Sequence, residues 1–392
     1  MQENMKYFPF IEYVPGNRLS SGMAARRCVR MLHAPFHALA YSHAFFLFPG
    51  FFRMNLTAFK PRAFSLASSC AAALAARCGL AALAPAQAAD ACPHRGDLDA
   101  QYCDANKDLV ADTPTDARQL KDPSTLVFAF TPVEDPAVYE KLLRPFMADL
   151  AQCVGKKVVF FPVQSNAAQI EAMRSGRLHV AAFSPGPVNY AVNLAGAVPF
   201  AIRGNEQGPV GMYLKMIVRK DSPYQKLQDL KGKRIAHTSP SSNSGNMAPR
   251  ALFPKIGLTP DTDYKVVYSG KHDQSILGVK TGDYDAAPVA SDVLEHMTDR
   301  GIVGKDDFRV LYTSEMFPTD AYAYAYNLKP ELQEKIKQCF FAYRAPAEMA
   351  KGLGGDRFLP ISYQKDWELV RTVAEAAGEK FTRDAYNQSA RK

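Results

Sequence analysis

The sequence predicts a two-lobed α/β fold, each lobe a mostly parallel sheet flanked by helices, with the chain crossing twice between lobes. Three observations carry this. From Leu126 onward, short runs rich in β-branched residues alternate with helical patterns, as buried parallel strands do. A polar break at Arg219-Lys220-Asp221-Ser222-Pro223 separates two such series. Then Ala321-Tyr322-Ala323-Tyr324-Ala325-Tyr326 alternates small and aromatic residues with period two, as in a strand whose faces meet different surroundings. At 392 residues the chain is long enough to bury two cores, and two sheets joined by two crossings leave a cleft between them.

The first 88 residues read as a leader. They hold nine of the 47 Lys and Arg and two of the 39 Asp and Glu, so most of the formal charge of +8 sits there. The remaining 38 basic and 37 acidic residues nearly balance, which removes the electrostatic basis for a nucleic-acid partner. From Met54, Lys60 and Arg62 precede two small apolar runs and an Ala86-Gln87-Ala88 end, the parts of a secretory signal interrupted by Arg77. We therefore expect an untranslated or disordered extension over 1–53 and a signal peptide over 54–88. The alternative, a membrane anchor, lacks the roughly 18–20 uninterrupted apolar residues of a spanning helix.

Cleavage would leave Cys92, Cys103, Cys153 and Cys339, an even count that permits disulfides in an exported chain. Cys92 with Cys103 closes a short loop at small entropic cost. Cys153 with Cys339 would then tie an early helix to a late one, with free buried thiols as the alternative. The Cys- and Asp-rich segment over 89–124 shows no sustained period and is expected to be extended. Within it Asp104, Asn106, Asp108 and Asp112 place oxygens as a calcium loop does. Thr115 stands where that loop needs Glu, so a plain acidic turn competes with a calcium site.

The first lobe is expected over 125–220 and again over 319–392, the second over 221–318. In the first, Leu126 to Phe130 is a strand, and Asp135-Pro136 supplies an N-cap and an N1 proline for a helix ending near Gly155. Strands at 157–163 and 178–183 flank a helix at 167–175. In the second, strands at 234–237, 265–268, 284–287 and 308–311 alternate with helices at 246–256, 274–280 and 291–297. Helices near 330–342 and 367–378 close the chain.

The strongest local feature is Thr238-Ser239-Pro240-Ser241-Ser242-Asn243-Ser244-Gly245, between a strand and a helix. Short hydroxyl residues and Gly at a helix start leave backbone N–H groups free for an oxyanion, although the same residues serve as simple N-caps. No nucleophile elbow, H-E-x-x-H helix, Walker loop or G-x-G-x-x-G occurs, and no C-x-x-C or Cys/His cluster suggests zinc. Tyr190, Tyr213 and Tyr324 are candidate cleft walls, with core packing as the other reading.

From about Ser124 to Glu379 the chain resembles the periplasmic substrate-binding proteins of phosphate/phosphite/phosphonate ABC importers. The resemblance is carried, in order, by Phe130-Thr131-Pro132 with Asp135-Pro136, Ile170-Glu171-Ala172-Met173-Arg174-Ser175-Gly176, Phe183-Ser184-Pro185, Leu227-Gln228-Asp229-Leu230-Lys231-Gly232-Lys233, Ser242-Asn243-Ser244-Gly245 and Ser269-Gly270-Lys271-His272-Asp273. It implies a type II periplasmic-binding-protein fold that closes on a small tetrahedral oxyanion. It also implies ligand contacts at Ser241, Ser242, Asn243, Ser244 and Ser184, with Asn243 replacing a family Thr, and places the family His on His272. A ligand-facing family Tyr falls on Asn166, and a frequent carboxylate falls on Ala290, two residues before Asp292, so the choice of oxyanion stays open. The expected protein is a monomeric receptor serving an inner-membrane permease, without a cofactor. An exported enzyme on a related bilobal fold and a calcium-stabilised periplasmic interaction protein are the alternatives.

Overall fold

The computed structural model describes residues 92–389, so the expected extension over 1–53 and signal peptide over 54–88 lie outside the described residues. The chain runs β1 (Thr125–Phe130), α1 (Pro136–Val154), β2 (Lys157–Phe160), α2 (Asn166–Arg174), β3 (Val180–Phe183), α3 (Pro185–Ala195), β4 (Ala197–Asn205) and β5 (Gly208–Pro209). It continues through β6 (Gly211–Arg219), β7 (Arg234–His237), α4 (Ala248–Leu252), β8 (Lys265–Tyr268), α5 (His272–Thr281), β9 (Ala286–Ala290), α6 (Ser291–Asp299) and β10 (Phe308–Pro318). It ends with β11 (Ala321–Ala325), α7 (Pro330–Ala342), α8 (Ala347–Leu353), β12 (Arg357–Pro360), α9 (Tyr363–Asp366), α10 (Glu368–Ala376) and α11 (Arg383–Ser389).

Two sheets result. The first has the order β12-β4-β11-β3-β1-β2 with β5 beside β4, the second β10-β6-β9-β7-β8. Each is mixed rather than mostly parallel. Strands β2-β1-β3 and β8-β7-β9 are parallel, because each is joined to the next through a helix. Strands that re-enter a sheet after a crossing or hairpin run antiparallel: β11 to β3 and β4, β6 to β9, and β10 to β6.

The first crossing lies earlier than expected. Strand β6 pairs with β9 and β10, so the second lobe begins near Gly211, not at 221. Its apolar run looks like the end of the first series, and local hydropathy cannot say which sheet a strand joins. The return crossing falls between β10 and β11, at Thr319-Asp320.

Local chemistry explains the elements. The Asp135 carboxylate caps α1 by accepting from the Ala137 amide at 2.9 Å, and Gly155 ends the helix at φ 68°, a conformation glycine adopts without Cβ strain. Between α1, α7 and the first sheet, Phe146 meets Phe340 and Tyr322 meets Phe358, both with ring centroids 4.8 Å apart. Both expected disulfides are present, Cys92–Cys103 and Cys153–Cys339, the latter joining α1 to α7.

The N-terminal segment is extended but anchored. Its Asp99 amide donates to the Asn193 carbonyl at 2.8 Å and Tyr102 is buried. The carboxylates of its acidic turn bond to the turn's own amides. Asp104 accepts from the amides of Asp108 and Leu109 at 2.9 and 3.1 Å, Asp108 from that of Val110 at 3.1 Å, and Asp112 from that of Ala105 at 2.7 Å. These carboxylates, with Asn106, cap their own turn. Among the described residues no group of three or more His, Cys, Asp or Glu could hold a metal ion.

Candidate functional site

The carboxyl ends of β1 and β9 and the turns after β3 and β7 line one cavity, the crevice that open α/β sheets leave for ligands. It measures about 30 Å³. One water needs roughly 10–15 Å³ on that measure, so the space suits a compact group.

The second lobe contributes the turn after β7. Ser242 is its N-cap, and its Oγ accepts from the Gly245 amide at 3.1 Å. Residues Asn243–Met247 then form one π-helical turn that leads into α4. Ser242, Asn243 and Ser244 all line the cavity, and Asn243 is buried with neither Nδ2 nor Oδ1 partnered among the described residues. A buried amide group with both ends unbonded is costly unless something else completes it. Glycine is required at 245, where a Cβ would lie 2.1 Å from Thr238 Oγ1.

His272, the first residue of α5, lines the same cavity. The Ala290 amide donates to its Nδ1 at 3.2 Å, so in the neutral ring the proton is on Nε2 and points to Ser242 Oγ, 3.4 Å away. Burial holds the imidazole neutral, pushing its pKa down to about 4. Ser242 Oγ thus receives two hydrogens, and its own hydrogen is free to turn toward an anion.

His237, at the end of β7, braces the turn from behind. Its Nδ1 contacts Asn246 Oδ1 at 2.8 Å and its Nε2 the Tyr264 hydroxyl at 2.9 Å, while Asn246 Nδ2 donates to the Pro240 carbonyl at 2.8 Å. Burial lowers its pKa to about 4 as well. A histidine that ionises near 6.5 when unfolded and near 4 when folded binds more protons unfolded, so stability falls as pH drops from about 6.5 to about 4. Asp320, raised to about 6 by burial despite the neighbouring Arg203, works the other way between about 4 and 6. Burial lowers four histidines (His179, His237, His272 and His296) and raises three carboxylates (Asp104, Asp273 and Asp320), so the histidines outweigh them, the melting temperature should fall from pH 6.5 to pH 4.5, and His237→Gln should flatten that slope. A melting temperature constant across that range would contradict this.

The first lobe supplies Ser184, whose Oγ accepts from Thr131 Oγ1 at 3.1 Å, with Tyr139, Arg203 and Asp320. Arg203 Nη2 donates to Asp320 Oδ2 at 3.1 Å. The lobes touch around the cavity. The His272 amide donates to the Val133 carbonyl at 3.2 Å, Lys271 Nζ to Gln164 Oε1 at 3.2 Å, and Glu134 pairs with Arg300. The start of α3 also lies against the serine turn: a Cβ at Gly186 would be 2.1 Å from the Ser241 carbonyl oxygen.

Of the sequence-predicted site residues, Ser184, Ser242, Asn243, Ser244 and His272 meet in this cavity. Ser241 and Asn166 line a neighbouring opening instead, where Asn166 Nδ2 donates to Ser241 Oγ at 3.2 Å across the lobes. Tyr190, Tyr213 and Tyr324 are not on the cavity wall: Tyr190 donates to Glu379, Tyr213 faces solvent and Tyr324 packs on Phe200. Sequence reasoning missed Arg203, Asp320, Tyr139 and His296, and gave Asp292 no direct role. The legible signal was a lone cation inside the apolar strand Ala197–Asn205.

This architecture matches known proteins. The family model for the periplasmic substrate-binding protein of phosphonate ABC transporters matches residues 128–367. The chain belongs to this family. Members of the phosphonate-binding family are substrate-binding components of transporters, not enzymes. The phosphate-import protein PhnD of Mycolicibacterium smegmatis is 27% identical over 229 residues, covering 56% of this chain and 71% of that one. The phosphonates-binding periplasmic protein of Escherichia coli is 26% identical over 231 residues, 58% and 68% of the two chains. Among solved structures, the binding protein of a Pseudomonas aeruginosa ABC phosphonate transporter superposes with a TM-score of 0.58 at 23% identity, covering 69% and 97%. PhnD1 of Prochlorococcus marinus, in complex with methylphosphonate, gives 0.59 at 16%, covering 66% and 99%. The structural likenesses show the type II binding-protein fold. No helix among the described residues is long and apolar enough to cross a membrane.

Proposed function

We propose that the chain captures a compact tetrahedral oxyanion of the phosphonate, phosphite or phosphate type between its lobes and presents it to an ABC permease of the inner membrane. The observation that carries this reading is the buried, unpartnered Asn243 side chain beside the Ser242 and Ser244 hydroxyls in an interlobe cavity. The leader over 54–88 would export the chain to the periplasm, where it acts as a monomer. Four hydrogen bonds to a charged ligand at about 1.5–3 kcal/mol each give roughly 6–12 kcal/mol gross. Less the costs of association and ordering, that is compatible with the ~8 kcal/mol of a micromolar complex. Lobe closure excludes water from the anion and strengthens these bonds, without any covalent step.

Calorimetry on the mature chain tests this with methylphosphonate, phosphite, phosphate and sulfate. At least one phosphorus oxyanion should bind near micromolar strength, and Ser244→Ala should weaken it about tenfold with little change in melting temperature. No heat from any of the four, or an unchanged affinity in Ser244→Ala, would contradict the reading.

A further inference from the structure

On the first-lobe side of the same cavity sits a cation that none of the sequence motifs marks. Arg203 lies in β4 and is only 4% exposed, yet it lines the interlobe cavity. A guanidinium carries five N–H donors in a fixed fork. Nη2 is engaged by Asp320 at 3.1 Å, while Nε and Nη1 have no partner among the described residues. A buried charged donor left unbonded costs more than a neutral one. Arginine also cannot escape that cost by losing its proton.

We propose that Arg203 is the charged anchor of the ligand anion, and that the anion is held between this guanidinium on one lobe and the Ser242–Ser244 turn on the other. This deepens the oxyanion reading above and rests on it. The cavity is small enough for one compact group to reach both walls. A ligand bonded from two opposing walls needs acceptors on diverging faces. A tetrahedral group with three or four oxygens provides them, whereas a planar carboxylate offers two oxygens in one plane. Because Arg203 belongs to the first sheet and the turn to the second, the same anion links the two lobes, so that binding and closure are coupled. Asp320 holds the guanidinium in place and is therefore a positioning residue. Removing Arg203 alone would strand its buried carboxylate.

The test compares methylphosphonate and acetate by calorimetry in the mature chain, in Ser244→Ala and in the double variant Arg203→Met/Asp320→Leu, which deletes both buried charges together. Fluorescence of Trp367, the single tryptophan, buried with its Nε1 donating to the Pro185 carbonyl at 3.3 Å, reports whether the cleft-side packing survives. Expected are binding of methylphosphonate but not acetate by the wild type, and at least a 100-fold loss in the double variant with native Trp367 emission. Double-variant affinity within threefold of wild type, while Ser244→Ala is weakened, would overturn the Arg203 assignment and leave the oxyanion reading standing. Absence of binding of methylphosphonate, phosphite and phosphate alike in the wild type, or acetate bound equally well, would overturn both. If the double variant does not fold, Arg203→Lys serves instead: it keeps charge but loses the fork, and at least a tenfold loss is expected, with unchanged affinity overturning the proposal.

Discussion

Gly186→Ala is expected to lower affinity for the bound oxyanion about 10- to 100-fold while leaving the ligand-free chain as stable as before. In the closed arrangement an alanine Cβ would lie 2.1 Å from the Ser241 carbonyl oxygen and 2.9 Å from the Asn243 amide nitrogen. Both are backbone atoms of the turn that holds the ligand, so neither can swing aside as a side-chain end would. Overpacking of this kind costs about 1–3 kcal/mol, and at ~1.4 kcal/mol per tenfold that sets the range given. Once the lobes part, the methyl group is expected to clear the turn, and alanine suits a helix better than glycine by about 1 kcal/mol. Calorimetry and thermal melts on the same sample check both halves. Undiminished affinity would mean that the start of α3 does not approach the turn when ligand is bound.

The second large effect concerns stability. Replacing Cys153 and Cys339 together by serine should destabilise the chain by about 5 kcal/mol, because the bridge closes a loop of 186 residues and its loss frees the unfolded chain from that constraint. The bond joins α1 to α7, two helices that also meet through Phe146 and Phe340, so the loss expected is that of the chain constraint rather than of the packing. Denaturant unfolding of the double serine variant measures the loss, and a change below about 1 kcal/mol would contradict the role assigned. Replacing Cys92 and Cys103 should cost less, since that loop spans only 11 residues.

Much of this was legible because it is written locally. The Asp135-Pro136 start of α1 and the serine-rich turn before α4 declare themselves in a few consecutive residues, since caps and turns depend on side chains bonding to nearby backbone. What was not legible depends on partners distant in sequence. Arg203 and Asp320 are 117 residues apart and meet because β4 and β11 are neighbours in the first sheet. Strand β6 reads as apolar in either sheet, and only its pairing with β9 and β10 assigns it. Ser241 and Ser242 are adjacent and chemically alike, yet Ser242 faces the cavity and Ser241 the opening beside Asn166, a difference of side-chain direction that composition does not carry.

The most direct measurement is a crystal structure of the mature chain grown with methylphosphonate. The account predicts the phosphorus atom inside the cavity, its oxygens within hydrogen-bonding distance of Ser242, Asn243 and Ser244 on one side and of Arg203 on the other. A phosphonate bound outside the interlobe space, or inside it with the serine turn uninvolved, would contradict it.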